Sequence, residues 1–437
     1  MPDAIDFDVA VVGAGPAGST VASLLADRGL RVVMFEKDRH PRFHIGESLL
    51  PLNLPLLERL GVAEQVAAIG MLKPAAEFHA AEYQHSVAFR FDEAFAPCQG
   101  YAYQVRRSEF DAILAERARA GGVQLIEQCR VAAVDFGADR VVLDARHGDG
   151  REQRCSARYL VDASGRDTFV AAKLGVKRRN PQHASAALYG HFRGAQRGSG
   201  ECEGNIRVFW FAHGWFWFIP LRDGVTSVGA VCWPSYLKTR RGDPSAFLLQ
   251  TIALCPPLAE RLAQATLVGA VTATGNYSYR SEQIGGERWI MVGDAYAFVD
   301  PVFSSGVYLA MSGAFRAAEV VAGALRDGAR APALRRDYQR FVQRGLSAFC
   351  WMIYRMTAPA MRELMMNPRN AGGMRRAVVS TLAGDVYRRG PVWWRMLAFR
   401  ALYYANVARI GRRSLAAWRQ RRGAIRGQTI HATDGSG

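Results

Sequence analysis

No Cys-x-x-Cys pair occurs in this 437-residue chain, and its seven cysteines are odd in number. Neither a disulfide framework nor a zinc site suits that pattern, so the reducing cytoplasm is the expected compartment. No uninterrupted apolar run reaches about 18 residues, which excludes a spanning helix. The start Met1-Pro2-Asp3-Ala4-Ile5-Asp6 has neither a basic n-region nor an apolar core, so no secretory signal is expected. Internal repeats are absent, as is any low-complexity tract beyond the short polar end. Acidic residues are missing from one long stretch: Val386 to Ile430 holds eleven arginines and no Asp or Glu. Interleaved with them are Trp393, Trp394, Phe399, Tyr403, Tyr404 and Trp418, in a chain of net charge +17. Three readings of that stretch stand: a solvated basic helix, a helix lying peripherally on the anionic inner face of a membrane, or a docking surface for an acidic partner. No recognisable nucleic-acid motif accompanies the charge, so nucleic acid is not an expected partner.

What is present begins with Val9-Ala10-Val11-Val12-Gly13-Ala14-Gly15-Pro16-Ala17-Gly18. The apolar run predicts a buried parallel strand, and Pro16 predicts the first turn of a helix running to about Arg28, with Gly29 as its stop. Gly13 permits the tight turn, Gly15 lets a pyrophosphate approach the backbone, and Gly18 lets helix pack closely on strand. A second apolar strand, Arg31 to Phe35, ends in Glu36, at the spacing that receives an adenosine ribose. An acidic residue there favours an unphosphorylated ribose, hence FAD or NAD over NADP.

Far along the chain, Ile290-Met291-Val292-Gly293-Asp294-Ala295 is an apolar strand entering Gly-Asp. On its own it reads equally as a strand-to-helix corner capped by Asp. Beside the fingerprint it resembles the second FAD element of aromatic hydroxylase-like flavoproteins, in which such an Asp holds the ribitol chain. Val161-Asp162-Ala163-Ser164-Gly165 repeats the strand-into-turn pattern and either closes the same domain or is a plain turn. Between them, Trp215-Phe216-Trp217-Phe218-Ile219-Pro220 reads as one antiparallel strand with aromatics on both faces, ended by Pro.

With Phe298-Val299-Asp300-Pro301-Val302-Phe303-Ser304-Ser305-Gly306 the resemblance becomes specific: the chain resembles the flavin-dependent halogenases. That family carries Trp-x-Trp-x-Ile-Pro, matched by Trp215, Trp217, Ile219 and Pro220, and Phe-x-x-Pro-x-x-Ser-x-Gly, matched by Phe298, Pro301, Ser304 and Gly306. It also carries a lysine in the early insertion, matched here by Lys73 in Gly70-Met71-Leu72-Lys73-Pro74. His44 to Pro51, including Ser48, resembles the strap joining flavin and substrate sites. The likeness runs to about residue 320. It implies FAD used as FADH2, with O2 and chloride or bromide giving hypohalous acid. Cofactor contacts would come from Gly13, Gly15, Ala17, Gly18, Glu36, Ser48, Arg107, Asp294, Pro301 and Gly306. Backbone N–H groups of Ser305 and Gly306 would hold the halide in a small-residue nest. Lys73 would be catalytic, buried and of lowered pKa, polarising hypohalous acid or forming a haloamine. Without the resemblance it is a surface lysine beside a turn-forming Pro. Trp215, Trp217 and Phe303 would shape the tunnel and substrate site. No metal is expected.

Departures narrow the substrate. Halogenases of free tryptophan resemble Pro-Leu-Glu-Ser-Thr-Gly in this turn, whereas Phe303 occupies the Glu position here. A lysine without that carboxylate points to a phenol, a pyrrole or another electron-rich ring, free or tethered to an acidic acyl carrier protein. No second Gly-rich nucleotide motif is visible, so a separate flavin reductase is expected. An FAD monooxygenase, a polyprenyl-reductase-like enzyme and a non-catalytic membrane-associated FAD protein remain the alternatives.

The predicted fold is α/β: a Rossmann-like, aromatic hydroxylase-like FAD domain from 1–75, 100–180 and 280–325, with an inserted antiparallel substrate-domain sheet from 76–99 and 181–279. A helical, Arg-rich region covers 326–437. The sheet's predicted strands are Glu77 to Ala81, Ser86 to Phe91, Ala187 to Phe192, Ile206 to Pro220 and Thr226 to Trp233. Tyr103 to Asp111 reads as a strand entering a helix.

Overall fold

The computed structural model describes residues 6–180, 183–275 and 278–426. Met1–Ile5 at the start and 427–437 of the Arg-rich region lie outside the described residues. The first apolar run forms strand Phe7–Val12, which pairs in parallel with Val32–Phe35 on one side and Glu152–Asp162 on the other. Flanked on both edges, its residues Val9 to Val12 are buried, which is why the segment reads as continuously apolar. Gln124–Ile126 extends the sheet beyond Val32–Phe35, and Trp289–Met291 pairs in parallel with the end of Glu152–Asp162. The start of that long strand belongs instead to an antiparallel meander with Val141–His147 and Cys129–Phe136, which the sequence reading did not foresee.

Every parallel strand therefore ends on the same side, where α/β sheets place their ligands. Helix Pro16–Ala26 starts at Gly15 on that side and is capped by Asp27. It stops short of the expected Arg28, while Gly29 turns the chain at φ +79°.

A second sheet of seven strands runs in the order Thr266–Thr274, Ala186–Arg193, Val225–Cys232, Gly214–Pro220, Ile206–Phe211, Ala75–Ala80, Ser86–Arg90. The predicted Ile206 to Pro220 segment is a hairpin of two strands, turning at Ala212 and His213. The sheet is antiparallel except at one pair, Ile206–Phe211 with Ala75–Ala80, which is parallel because the two strands come from segments 130 residues apart rather than from a hairpin. Alternation divides the aromatics. Phe209, Phe216 and Phe218 pack under helices Pro244–Ala253 and Pro256–Arg261, whereas Trp210, Trp215 and Trp217 face the C-terminal helices. Covered on both faces, the central strands bury every residue, so polar/apolar alternation is lost there.

The C-terminal region packs on this second face. Helices Ala331–Ile353, Pro359–Met366, Met374–Leu382 and Pro391–Arg409 contribute Phe349, Met352, Met361, Met365, Val379 and Phe399 to the core around Trp215 and Trp217. No described helix is long and apolar enough to cross a membrane.

Trp217 is held by Nε1 donating to Ser227 Oγ at 3.2 Å and by the missing side chain of Gly229 opposite it. A methyl group at Gly229 would lie 2.2 Å from the indole. Gly229→Ala is expected to destabilise the fold by about 1–3 kcal/mol through overpacking. An unchanged urea midpoint would show that the indole has room to move.

Candidate active site

The ends of the parallel strands and the inner wall of the second sheet enclose a cavity of about 530 Å³. Gly13, Gly15, Ala17, Glu36, Ser48 and Arg107 line it, and Asp294, Pro301, Gly306, Trp215 and Trp217 complete its other walls. Gly18 lies outside the lining. Its place is packing, since a Cβ there would sit 1.8 Å from Gly13 O. Gly13 has φ +97°, and a side chain would strike Ala163 O at 2.4 Å. At Gly15 the space is open apart from Arg42 Nη2, 3.6 Å from where a Cβ would be.

That arrangement fits FAD. The unpaired N–H groups of helix Pro16–Ala26 face the cavity beside Gly15 and suit a pyrophosphate. Glu36, 3% exposed, stands at the end of Val32–Phe35, its Oε2 accepting from Ala14 N at 2.9 Å and its Oε1 from Asp38 N at 3.1 Å. Asp294 lies at the far side, its carboxyl pushed up to about 6 by burial against the opposing pull of Arg166 and Arg107.

Arg107 is one of the cofactor contacts that the resemblance implies. It lines the cavity, but its guanidinium is clamped by Asp111 at 2.8 and 2.9 Å and donates to Ile45 O at 2.6 Å. Arg42, which the sequence reading missed, stands over Gly15 and shares Asp111 and Glu36 at 3.2 and 3.3 Å. One buried carboxylate, Asp111, thus orients two arginines on the phosphate side. Its pKa is lowered by both arginines against the cost of burial. Nothing in the sequence flags Arg42, because it sits in a loop with no motif of its own.

The turn Pro301–Gly306 separates this cavity from the C-terminal core. Pro301, Ser304 and Gly306 line the cavity, while Val302 and Phe303 enter the core that holds Trp215 and Trp217. Ser304 is left-handed (φ 55°, ψ 25°) and Ser305 right-handed (φ −82°, ψ −14°), a succession that gathers neighbouring N–H groups into an anion-binding concavity. Gly306 opens the 21-residue helix Gly306–Arg326, adding the positive end of a helix dipole. Ser305 Oγ is buried without a hydrogen-bond partner among the described residues.

Lys73 does not line the cavity. It lies behind Ser48, 1% exposed, with Nζ donating to Ser48 Oγ at 2.9 Å and Leu49 O at 2.6 Å and the Phe91 ring 5.3 Å away. No carboxylate pairs with it among the described residues, and desolvation alone lowers its pKa from 10.5 to about 7. Ser48 therefore joins the cavity to the lysine. The strap is held by Leu49 N to Tyr103 O at 3.0 Å and Val105 N to Glu47 O at 2.7 Å. On the same strap, burial and Arg107 lower His44 to about 4.

A second buried cluster escaped the sequence reading. Asp300, inside the Phe298 to Gly306 motif, has its Oδ2 3.0 Å from His183 Nε2 and accepts from Ser185 Oγ at 2.7 Å. His183 Nδ1 in turn lies 2.9 Å from Arg421 Nη2. An arginine only donates, so Nδ1 accepts and Nε2 carries the proton given to Asp300. Asp300 lies more than 110 positions from His183 and Ser185, and Arg421 farther still from His183, with no spacing to reveal the cluster.

A family profile described as an FAD binding domain matches residues 6–344. A flavin-dependent halogenase of Armillaria mellea is 34% identical over 74% of this chain and 68% of its own length. Two further halogenases of that fungus are covered over 65% of theirs, so the chain spans about two thirds of these relatives. A 1H-pyrrole-2-carbonyl-[peptidyl-carrier protein] chlorinase of Pseudomonas fluorescens is 28% identical over 87% of this chain and 90% of its own. The solved structure of the myxobacterial chondrochloren halogenase superposes with a TM-score of 0.77, at 33% identity, covering 88% of this chain and 92% of that one. The profile match over most of the chain, the identity to the Armillaria halogenase and the shared fold agree with the cavity, the nest and the buried lysine: this chain belongs to the flavin-dependent halogenases, FAD enzymes that take dioxygen and a halide.

Proposed function

We propose that this protein halogenates an electron-rich aromatic ring, a phenol or pyrrole, with chloride or bromide. The observation that carries the reading is a fully buried lysine without a carboxylate partner, joined through Ser48 to a cavity that fits FAD. Membership in the halogenases sets aside the monooxygenase and polyprenyl-reductase readings, as well as that of a non-catalytic membrane-associated FAD protein.

When bound and reduced, FAD would supply the two electrons and two protons with which dioxygen, a halide and one further proton become hypohalous acid and water. This chain's part is to place the participants. The Ser305 and Gly306 N–H groups hold the halide without a full positive charge that would retain it too tightly. Arg42, Glu36 and the helix at Gly15 hold the adenosine diphosphate end, while Trp215 and Trp217 wall off water from the other end. Lys73 Nζ donates a proton-bearing hydrogen bond to the hypohalous oxygen, making the halogen more electrophilic. The ammonium is the form suited to that task, and the nearby Phe91 ring favours it. With no carboxylate to assist the lysine, the ring must bring its own electron density.

Two features of the partners follow. A separate flavin reductase supplies FADH2. The pyrrole-acting relatives work on carrier-bound rings, which supports a carrier-tethered substrate here too. A panel of free phenols and pyrroles beside their carrier-bound forms, incubated with reductase and halide, should give a halogen mass shift in one class. Hydroxylated products alone would sink the reading.

Gly15→Val should weaken FAD binding by about tenfold or more, a loss of ~1.4 kcal/mol or greater, read by flavin fluorescence titration. Wild-type affinity would misplace the pyrophosphate.

Lys73→Ala should lower halogenation by about 10²–10⁴-fold while FAD binding and oxidation of reduced flavin persist. Because Lys73 titrates at about 7, product yield in the wild type should fall as pH rises through that value. A rise instead would identify the amine as the working form.

A further inference from the structure

The acid-free C-terminal stretch is not a loose tail. Helix Pro391–Arg409 buries Val392, Phe399, Tyr403 and Asn406, with Tyr403 edge-on to Trp351 at 5.5 Å and Asn406 Nδ2 donating to Ala360 O at 3.1 Å. Helix Gly411–Arg426 follows, fastened by Arg421, which reaches Tyr354 O and His183 and lies over the Trp233 ring.

Their outward faces carry the opposite chemistry. On the first helix, exposed Trp394, Leu397, Ala398, Ala401, Leu402 and Ala405 recur every three or four residues, forming one apolar stripe opposite the buried side. Trp394 is 68% exposed, and Trp393 and Tyr404 flank the stripe at 47% and 52%. On the second helix Leu415 and Trp418, 47% and 53% exposed, share a face with Arg412, Arg419 and Arg422. Among the described residues no ion pair neutralises those three arginines, and Arg422 stacks on Trp418 at 5.0 Å.

We infer that this two-helix face docks on an anionic lipid surface. An uncharged stripe with Trp394 within it and Trp393 at its edge, bordered by arginines and free of acids, suits the headgroup boundary, where indoles take the interface and arginines meet lipid phosphates. A second copy of the chain would set Arg412, Arg419 and Arg422 against another exposed arginine face, which opposes self-pairing. Charge alone would also suit an acidic carrier protein. The long apolar stripe favours the bilayer, because such a surface left in water is what an interfacial helix buries.

Partition of the FAD-loaded full-length protein into sedimented vesicles tests this without turnover. Phosphatidylglycerol-containing vesicles should retain the protein at 0.1 M salt and pure phosphatidylcholine should not. Salt at 1 M, where the Debye length falls from about 10 to about 3 Å, should release it. Combined Arg412→Gln, Arg419→Gln and Arg422→Gln should weaken partition on the order of a hundredfold. Trp394→Ser with Leu397→Ser should also weaken it, with FAD content and circular dichroism unchanged. Equal retention on both vesicle types, or none on either, overturns the proposal. So does salt-sensitive binding to an acidic carrier protein, but not to vesicles, that the arginine variants abolish. A dimer in light scattering that Trp394→Ser dissolves overturns it in favour of a second copy. The wild-type salt titration decides without any variant.

Discussion

Holding a lysine out of water without a counter-charge is the constraint around which the rest of this structure is arranged. A buried ammonium is costly, so the fold must supply acceptors without supplying a carboxylate that would pin the proton. Ser48 and Leu49 do this from the strap, and Phe91 adds its ring face from the edge of the second sheet. Lys73 itself sits on the short strand Met71–Lys73, paired to Ala102–Gln104. The strap is tied to that same strand through Ser48, opposite Gln104. Displacing either piece would open the lysine to solvent and return its pKa toward the ordinary value.

The signature turn meets a similar demand from the other side. Its Ser304 is left-handed, a conformation uncommon for a non-glycine residue and held by its surroundings. Val302 and Phe303 anchor one side of the turn in the C-terminal core. Asp300 anchors the other through His183 and Ser185, and Arg421 completes that chain of contacts. The C-terminal helices, which lie mostly beyond the FAD-domain match, are therefore part of what keeps the turn in place.

Much of this was legible in sequence order. The run Val9 to Gly18 determined a buried strand, a glycine turn and a helix N-terminus by steric and hydrogen-bonding rules that act within ten residues. Glu36, Asp294 and the turn through Gly306 stood at the ends of short apolar runs, where the chain must leave a sheet. The alternating aromatics from Trp215 to Phe218 announced a strand with two covered faces, and Lys73 was located by its likeness to a family. Other features were decided only when distant segments met. The parallel pairing of Ile206–Phe211 with Ala75–Ala80, the sharing of Asp111 by Arg42 and Arg107, and the Asp300–His183–Arg421 chain all join residues separated by tens to hundreds of positions. So does the depressed pKa of Lys73, because desolvation depends on which atoms exclude water from a point in space, and sequence spacing carries no record of that.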